Sequence, residues 1–248
     1  MIRIWFYAIV AFFVFSVSAQ AAKTTLTYAL FSRGWPPLEM MTNGEPHGLA
    51  VDILKEVLPD DVELTVTPMP APRRSLYSVE GGVYVRLEAR EWMRTEFDYW
   101  WSDPVLPLVT SLCSPIDRPL EYKGLHSLEG KTIGCIRNYS YPFIEGLFRS
   151  GKATRYDVNS DQVQLRMLKA KRVDAAVIDR ISAGWIVRHM KDVSMLDFYV
   201  APKPLGAVSL RFAFNRVLGW EKVLPEINRK LRQIKKNGTL ERLLQKYR

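Results

Sequence analysis

Between residues 24 and 30 the apolar side chains Leu26, Tyr28 and Leu30 alternate with neighbours of the opposite face, a period of two that predicts a strand. The turn-forming segment Arg33-Gly34-Trp35-Pro36-Pro37 follows as a loop, and Asn43-Gly44 has the composition of a tight turn. From 49 to 58 the apolar positions switch to helical spacing, with Asp52 in the first turn where the helix dipole favours an acid. A strand at 62–67, a proline-rich loop at 68–72, a short helix at 74–79 and a strand at 83–85 continue the series. After the proline-rich stretch 102–107, segments 108–113 and 132–136 read as strands, the second leading into the loop Arg137-Asn138-Tyr139-Ser140. Ser160 caps a helix to about 170, a strand spans 174–178, a helix 180–190 and a strand 208–214. A helix at 220–236 is stopped by Asn237-Gly238, after which Thr239 caps a short last helix. Strand and helix taking turns is the pattern of an α/β protein with its chemistry in the loops after the strands. Two such series, followed by a return segment, predict two lobes around a cleft.

The first 21 residues fall outside that pattern. Arg3, the apolar run 4–15 and Ala19-Gln20-Ala21 have the order of a secretory signal cleaved after Ala21, so the mature chain is expected to begin at Ala22 and to reside in a periplasm. The apolar run is shorter than the ~20 residues a bilayer span needs, and no cysteine stands near the cut to carry a lipid. Cys113 and Cys135, both in strand-like stretches, are expected to be small buried hydrophobes, each unpaired.

Composition narrows the function classes. Of 248 residues 48% are hydrophobic, which places the chain among globular proteins and excludes disorder. A formal charge of +9 raises nucleic acid, anionic lipid and small anions as partners. The basic residues are scattered except at 229–236, where Ile227, Leu231 and Ile234 recur at helical spacing, so that run is the solvated face of a packed helix. Nucleic acid is therefore not expected. His47, His126 and His189 form no His-Glu-x-x-His, and Gly-x-Ser-x-Gly and phosphate-loop motifs are missing, so hydrolase, metalloprotease and NTPase chemistry lack their residues. Neither cofactor nor metal is expected.

Four motifs in one order resemble a known family. They are Trp35-Pro36-Pro37-Leu38-Glu39 with Gly44-Glu45-Pro46-His47-Gly48-Leu49-Ala50-Val51-Asp52; Leu128-Glu129-Gly130-Lys131-Thr132-Ile133-Gly134; Lys171-Arg172-Val173-Asp174-Ala175-Ala176-Val177-Ile178-Asp179; and Lys236-Asn237-Gly238-Thr239. Across the mature chain they resemble the extracellular solute-binding proteins, family 3, the periplasmic polar-amino-acid-binding components of ABC transporters. The resemblance implies a type II periplasmic-binding fold of two α/β lobes: lobe 1 from 22–105 plus 211–248, lobe 2 from 111–206, and hinge segments at 106–110 and 206–210. Ligand is then held between lobes that close by hinge motion, and an inner-membrane ABC permease receives it from a monomeric carrier.

The resemblance also implies site residues. Arg94 falls where a lobe-1 arginine grips the ligand carboxylate, a task suited to a guanidinium that donates two parallel hydrogen bonds; Arg86 and Arg90 are its rivals. Asp179 matches the acceptor of the ligand ammonium, and an Asp there is equally suited to cap the next helix. Ser140 matches a hydroxyl placed at a helix N-terminus, and Trp35 an aromatic wall. The opposite wall falls at Ala71, and two hydroxyl positions before the arginine fall at Leu87 and Ala89, so Arg74, or its neighbour Arg73, is expected to reach in from the proline-rich loop. The net positive charge and the extra arginines near the loops tilt the expected ligand toward an anionic or doubly carboxylated solute. The alternatives are a cyclohexadienyl-dehydratase-like enzyme of the same fold, with Glu91 as the carboxylate to watch, and a periplasmic ligand sensor.

Overall fold

The computed structural model describes residues 24–70, 82–93, 99–217 and 219–247. The signal segment, the helix expected at 74–79, Ala71, Arg74 and Arg94 lie outside the described residues. The chain opens with β1 (Thr24–Phe31), the hairpin β2 (Met40–Thr42) and β3 (Glu45–His47), then α1 (Leu49–Val57), β4 (Val62–Met69), β5 (Val83–Ala89) and β6 (Tyr99–Trp101). The long β7 (Leu106–Pro115) leads to β8 (Thr132–Ile136), α2 (Glu145–Arg149), β9 (Thr154–Val158), α3 (Asp161–Lys169), β10 (Ala175–Asp179), α4 (Arg180–Arg188) and β11 (Phe198–Val200). A second long strand, β12 (Gly206–Asn215), returns the chain to α5 (Leu224–Lys236) and α6 (Thr239–Lys246).

One sheet runs in the order β4-β1-β5-β12-β7-β10-β8-β9, with β6 on β12 and β11 on β7. Parallel pairs stand at both ends, β1 with β4 and β5, and β8 with β9 and β10. Antiparallel β7 and β12 join them in register from Leu106↔Leu210 to Thr110↔Gly206. On one side of this pair, α1, α5 and α6 pack on β1, β5 and β12 around Leu26, Leu30, Ile53, Leu54, Phe212 and Leu231. On the other side β10 is apolar from Ala175 to Ile178 because both of its faces are covered. Ala175 and Val177 join Leu112, Ile133 and Leu147 in one core, and Ala176 and Ile178 join Cys113, Leu165 and Ile186 in another.

Local chemistry accounts for the elements. Asn43 and Gly44 both have positive φ, as a two-residue hairpin turn between β2 and β3 requires. Gly48 precedes α1 at φ 138°, and a β-carbon there would lie 2.3 Å from the Leu38 carbonyl oxygen, so only glycine fits. The Ser160 hydroxyl accepts from Val163 N–H and caps α3. The Gln164 side chain, fully buried, donates to the carbonyls of Gly134 (2.7 Å) and Val177 (3.1 Å), tying α3 to both β8 and β10. Cys113 and Cys135 are free and buried, and burial pushes both thiols up to about 12.

Some local readings change. The cap of the last helix is Gly238, in the left-handed region, and Thr239 is the first helical residue, its hydroxyl accepting from Arg242. The helix expected at 220–236 is a 3-10 turn (Trp220–Lys222) followed by α5, because Pro225 has no N–H to continue the ladder and suits a helix start. The strand read at 83–85 continues to Ala89, carrying Arg86 and Glu88 into the sheet as an ion pair at 3.3 Å. Among the described residues no helix is long and apolar enough to cross a membrane.

Candidate functional site

A cleft opens where the parallel strands of both halves end. The residues after the carboxyl ends of β1, β5, β8, β9 and β10 all face it, which is where α/β sheets place ligands. An outer compartment of about 240 Å³ is lined by Phe31 and Trp35 from the β1 end, Leu87, Glu88 and Trp92 from the β5 end, and Asn138, Tyr139 and Ser140 after β8. An inner compartment of about 70 Å³ shares Trp35, Trp92, Tyr139 and Ser140, and adds Phe143, Asp161 and Asp179 with Leu108 and Thr110 of β7. Three residues singled out from the sequence, Trp35, Ser140 and Asp179, therefore meet at one place.

Each is positioned by its own element. The loop carrying Trp35 is closed by paired backbone bonds, Trp35 N–H to Glu39 O at 2.7 Å and Glu39 N–H to Trp35 O at 2.9 Å. Glu39 itself is fully buried, and its carboxylate accepts from Tyr28 O–H (2.7 Å) and Phe31 N–H (2.6 Å). Trp35 Nε1 donates across the cleft to Asp179 Oδ2 at 3.2 Å, while Asp179 Oδ1 accepts from Ser182 N–H at 2.6 Å and caps α4. Asp179 thus caps α4 and also lines the cleft. Ser140 is exposed and lines both compartments, but no helix starts beside it. α2 begins at Glu145, because residues 141–144 make a turn first, with Ile144 N–H bonding Tyr141 O.

The aromatic lining is denser than the sequence reading foresaw. Trp92 packs 5.9 Å from Trp35 at 52°, and Tyr139 lies 6.4 Å from Phe31 across the opening. Phe143 packs against the cores of both halves, and its ring covers Gly206 on β12 so closely that a β-carbon there would sit 2.4 Å from it. Tyr139, Phe143 and Asp161 share a signal that went unused: all stand in the segments that follow β8 and β9.

Arg86 and Arg90, the rivals of Arg94, stand outside both compartments. Arg86 is buried in the β5 sheet beside Glu88 and over the Tyr99 ring, and Arg90 lies over Trp101. Among the described residues no group of three or more His, Cys, Asp or Glu could hold a metal ion.

Among the described residues, two carboxylates line the inner compartment. Burial raises the Asp179 pKa, opposed by its hydrogen bonds from Ser182 and Trp35. Burial, reinforced by the charge of Asp179, pushes Asp161 from 3.8 up to about 6. Asp179 and Tyr141 are the titratable groups coupled to it. A carboxyl whose folded pKa exceeds its unfolded value gains a proton on folding between those pH values. Its stabilising contribution is full below about pH 4 and is lost as pH rises through about 6, amounting to at most roughly 3 kcal/mol. This carboxyl is therefore expected to lower the melting temperature progressively between about pH 4 and 6, and Asp161→Asn to remove that part of the slope; identical slopes in calorimetric melts of the two proteins would exclude this titration.

No protein-family model matches the sequence, and no curated protein matches it in a sequence search. Solved structures match its fold over nine-tenths of its length. A mutant of ArgBP from T. maritima is 22% identical with a TM-score of 0.67, the match covering 91% of this chain and 95% of that one. GshT, described with glutathione import through the cystine ABC importer TcyBC of Streptococcus mutans, is 18% identical with a TM-score of 0.70 over 91% and 95%. The ancestral amino acid-binding protein AncCDT-1, a precursor of cyclohexadienyl dehydratase, is 17% identical with a TM-score of 0.66 over 91% and 95%. The fold is that of the periplasmic binding proteins.

Proposed function

We propose that this chain, built on the amino-acid-binding fold of ABC importers, captures a small amino acid or related carboxylate-bearing metabolite in its cleft and delivers it to an inner-membrane ABC permease. The observation that carries the reading is the convergence of Trp35, Ser140 and Asp179, from opposite sides of the β7–β12 pair, on one aromatic-walled cleft. Asp179 takes the ligand ammonium, Trp35 covers its side chain, and Ser140 meets its carboxylate together with Arg94 and Arg74, both assigned on the family resemblance alone. Segments 106–110 and 206–210, which pair residue for residue, serve as the hinge between lobe 1 (22–105 and 211–248) and lobe 2 (111–206). Leu108 and Thr110 of that pair line the cleft floor, which couples occupancy to closure. Carriage to a permease agrees with a signal segment cleaved after Ala21 and a periplasmic location.

The test is a melting screen of the purified protein against the L-amino acids and small carboxylates, followed by titration calorimetry of each hit. A ligand present at ~100 times its Kd stabilises the native state by roughly 2.7 kcal/mol, a rise of several degrees. Binding of one such solute without turnover is the expected result. Silence across the whole panel, or conversion of a cyclohexadienyl acid to an aromatic product, overturns the reading.

A further inference from the structure

The segment that brings Tyr139 and Ser140 to the cleft is held by a residue that lines neither compartment, Arg155 of β9. Residues 136–139 form a turn in which Tyr139 N–H bonds Ile136 O at 3.1 Å, with Asn138 at a positive φ of 67° in its second central position. Asparagine tolerates that conformation better than most residues with a side chain, but does not enforce it. Arg137 N–H fastens the near end of the turn to Val158 O at 2.8 Å. The far end, where Ser140 begins, is met by a side chain instead.

The Arg155 guanidinium divides its donors. Nη2 donates to Ile136 O (3.3 Å) and to Tyr139 O (3.0 Å), the first and last residues of the turn. Nε donates to Asp157 Oδ1 at 2.9 Å, and Nη1 stands 3.7 Å from Glu145 Oε2 at the start of α2. The cation also lies over the Tyr141 ring, 5.2 Å from its centroid, with the Phe148 ring at 5.9 Å. Two carboxylates, two rings and two carbonyls thus fix one side chain that is 22% exposed. The Tyr139 carbonyl and the Ser140 N–H belong to one planar peptide unit, so a bond to that oxygen sets the plane from which Ser140 departs. A charged donor makes such a bond roughly twice as strong as a neutral one, and the planar fork adds direction.

Resting on the proposed solute-binding role, we infer that Arg155 is a positioning residue of the cleft: it touches no solute, and it holds the 136–140 segment in the form that presents Tyr139 and Ser140 to one. Tyr139 faces Phe31 of the opposite half at 6.4 Å, so the same clamp sets one side of the opening as well as the Ser140 hydroxyl.

The experiment compares the unmodified protein with Arg155→Met, Ser140→Ala and the double variant. Methionine keeps an apolar stem against the rings and removes every donor. The probe is the tightest binder among the L-amino acids and small carboxylates of the melting screen, titrated by calorimetry well below the melting temperature of each variant. Arg155→Met is expected to weaken it about tenfold. Ser140→Ala is expected to cost about tenfold in the unmodified background and less than about threefold in the Arg155→Met background, because the hydroxyl is already misplaced there. Amide exchange followed by NMR is expected to quicken at least about tenfold at Tyr139 and to stay within about threefold at Leu165 and Leu168 of α3. A side chain that served the fold alone would lower the melting temperature and leave the affinity of the folded protein unchanged. If Arg155→Met does not fold, Arg155→Lys, which keeps the charge beside Asp157 and Glu145 but loses the fork, takes its place with the same expectations. Unchanged affinity, unchanged Tyr139 exchange, or a Ser140→Ala loss of equal size in both backgrounds overturns the inference and leaves the solute-binding role standing. Silence of the unmodified protein across the whole panel overturns both.

Discussion

Glu39→Ala is expected to lower the melting temperature by roughly 10 °C. The Glu39 carboxylate is wholly buried and accepts from Tyr28 O–H and Phe31 N–H, and Tyr28 O in turn accepts from Leu87 N–H at 3.3 Å. These bonds join β1, β5 and the Trp35 loop. Truncation removes the acceptor of two buried donors, each worth ~1–3 kcal/mol, about 4 kcal/mol together. In a domain of this size 1 kcal/mol corresponds to roughly 2–4 °C. Glu39→Gln keeps the shape and one acceptor, so its loss is expected to be about half. The same variants report on function, because the loop that Glu39 closes holds Trp35 over the cleft. Circular-dichroism melts of the three proteins decide the matter, and an alanine variant melting within a degree or two of the unmodified protein would show that the buried carboxylate is not what holds the loop.

Asp179 offers the largest expected effect on binding, and two substitutions separate its two roles. Asparagine caps a helix as well as aspartate does, so Asp179→Asn retains the Ser182 bond and is expected to melt close to the unmodified protein. It removes the negative charge that would receive an ammonium group. Stripping one partner from a buried ion pair costs ~3–5 kcal/mol, so affinity is expected to fall by about a hundredfold or more. Asp179→Ala is expected to lose the same affinity and, in addition, about 1 kcal/mol of stability with the cap. Calorimetric titration beside melting measurements checks both. Asp179→Asn binding as tightly as the unmodified protein would reduce this residue to a helix cap.

Much of the α/β framework was legible because its determinants are local. α1 follows from apolar spacing over nine residues, α3 from Ser160 and its cap, and the β2–β3 turn from Asn43-Gly44. β10 stood out as an unbroken apolar run. Elements whose determinants are distant were missed or shortened. β9 is an exposed edge strand that exists through its pairing with β8, and α2 has only five residues. β5 looked finished at Val85 because Arg86 and Glu88 are poor interior residues alone; its antiparallel pairing with β12, from Val85↔Phe214 to Ala89↔Leu210, is what carries the strand on, and the two charges pair with each other within it.

The site divides along the same line. The sequence by itself determined that loops after strands would carry Trp35, Ser140 and Asp179, since turn chemistry, helix caps and the order of elements are written in neighbouring residues. It also determined the charge of the whole molecule. Only the tertiary structure decided that Trp35 and Asp179, 144 positions apart, share a hydrogen bond, that Asp161 turns from a helix start into a cleft carboxylate, and that Trp92, Tyr139 and Phe143 join Trp35 among the described residues of the lining. The physical reason is that a cleft between two sheet halves gathers side chains by strand order and register, and the charge and burial each one meets there belong to that gathering, which no window along the chain contains.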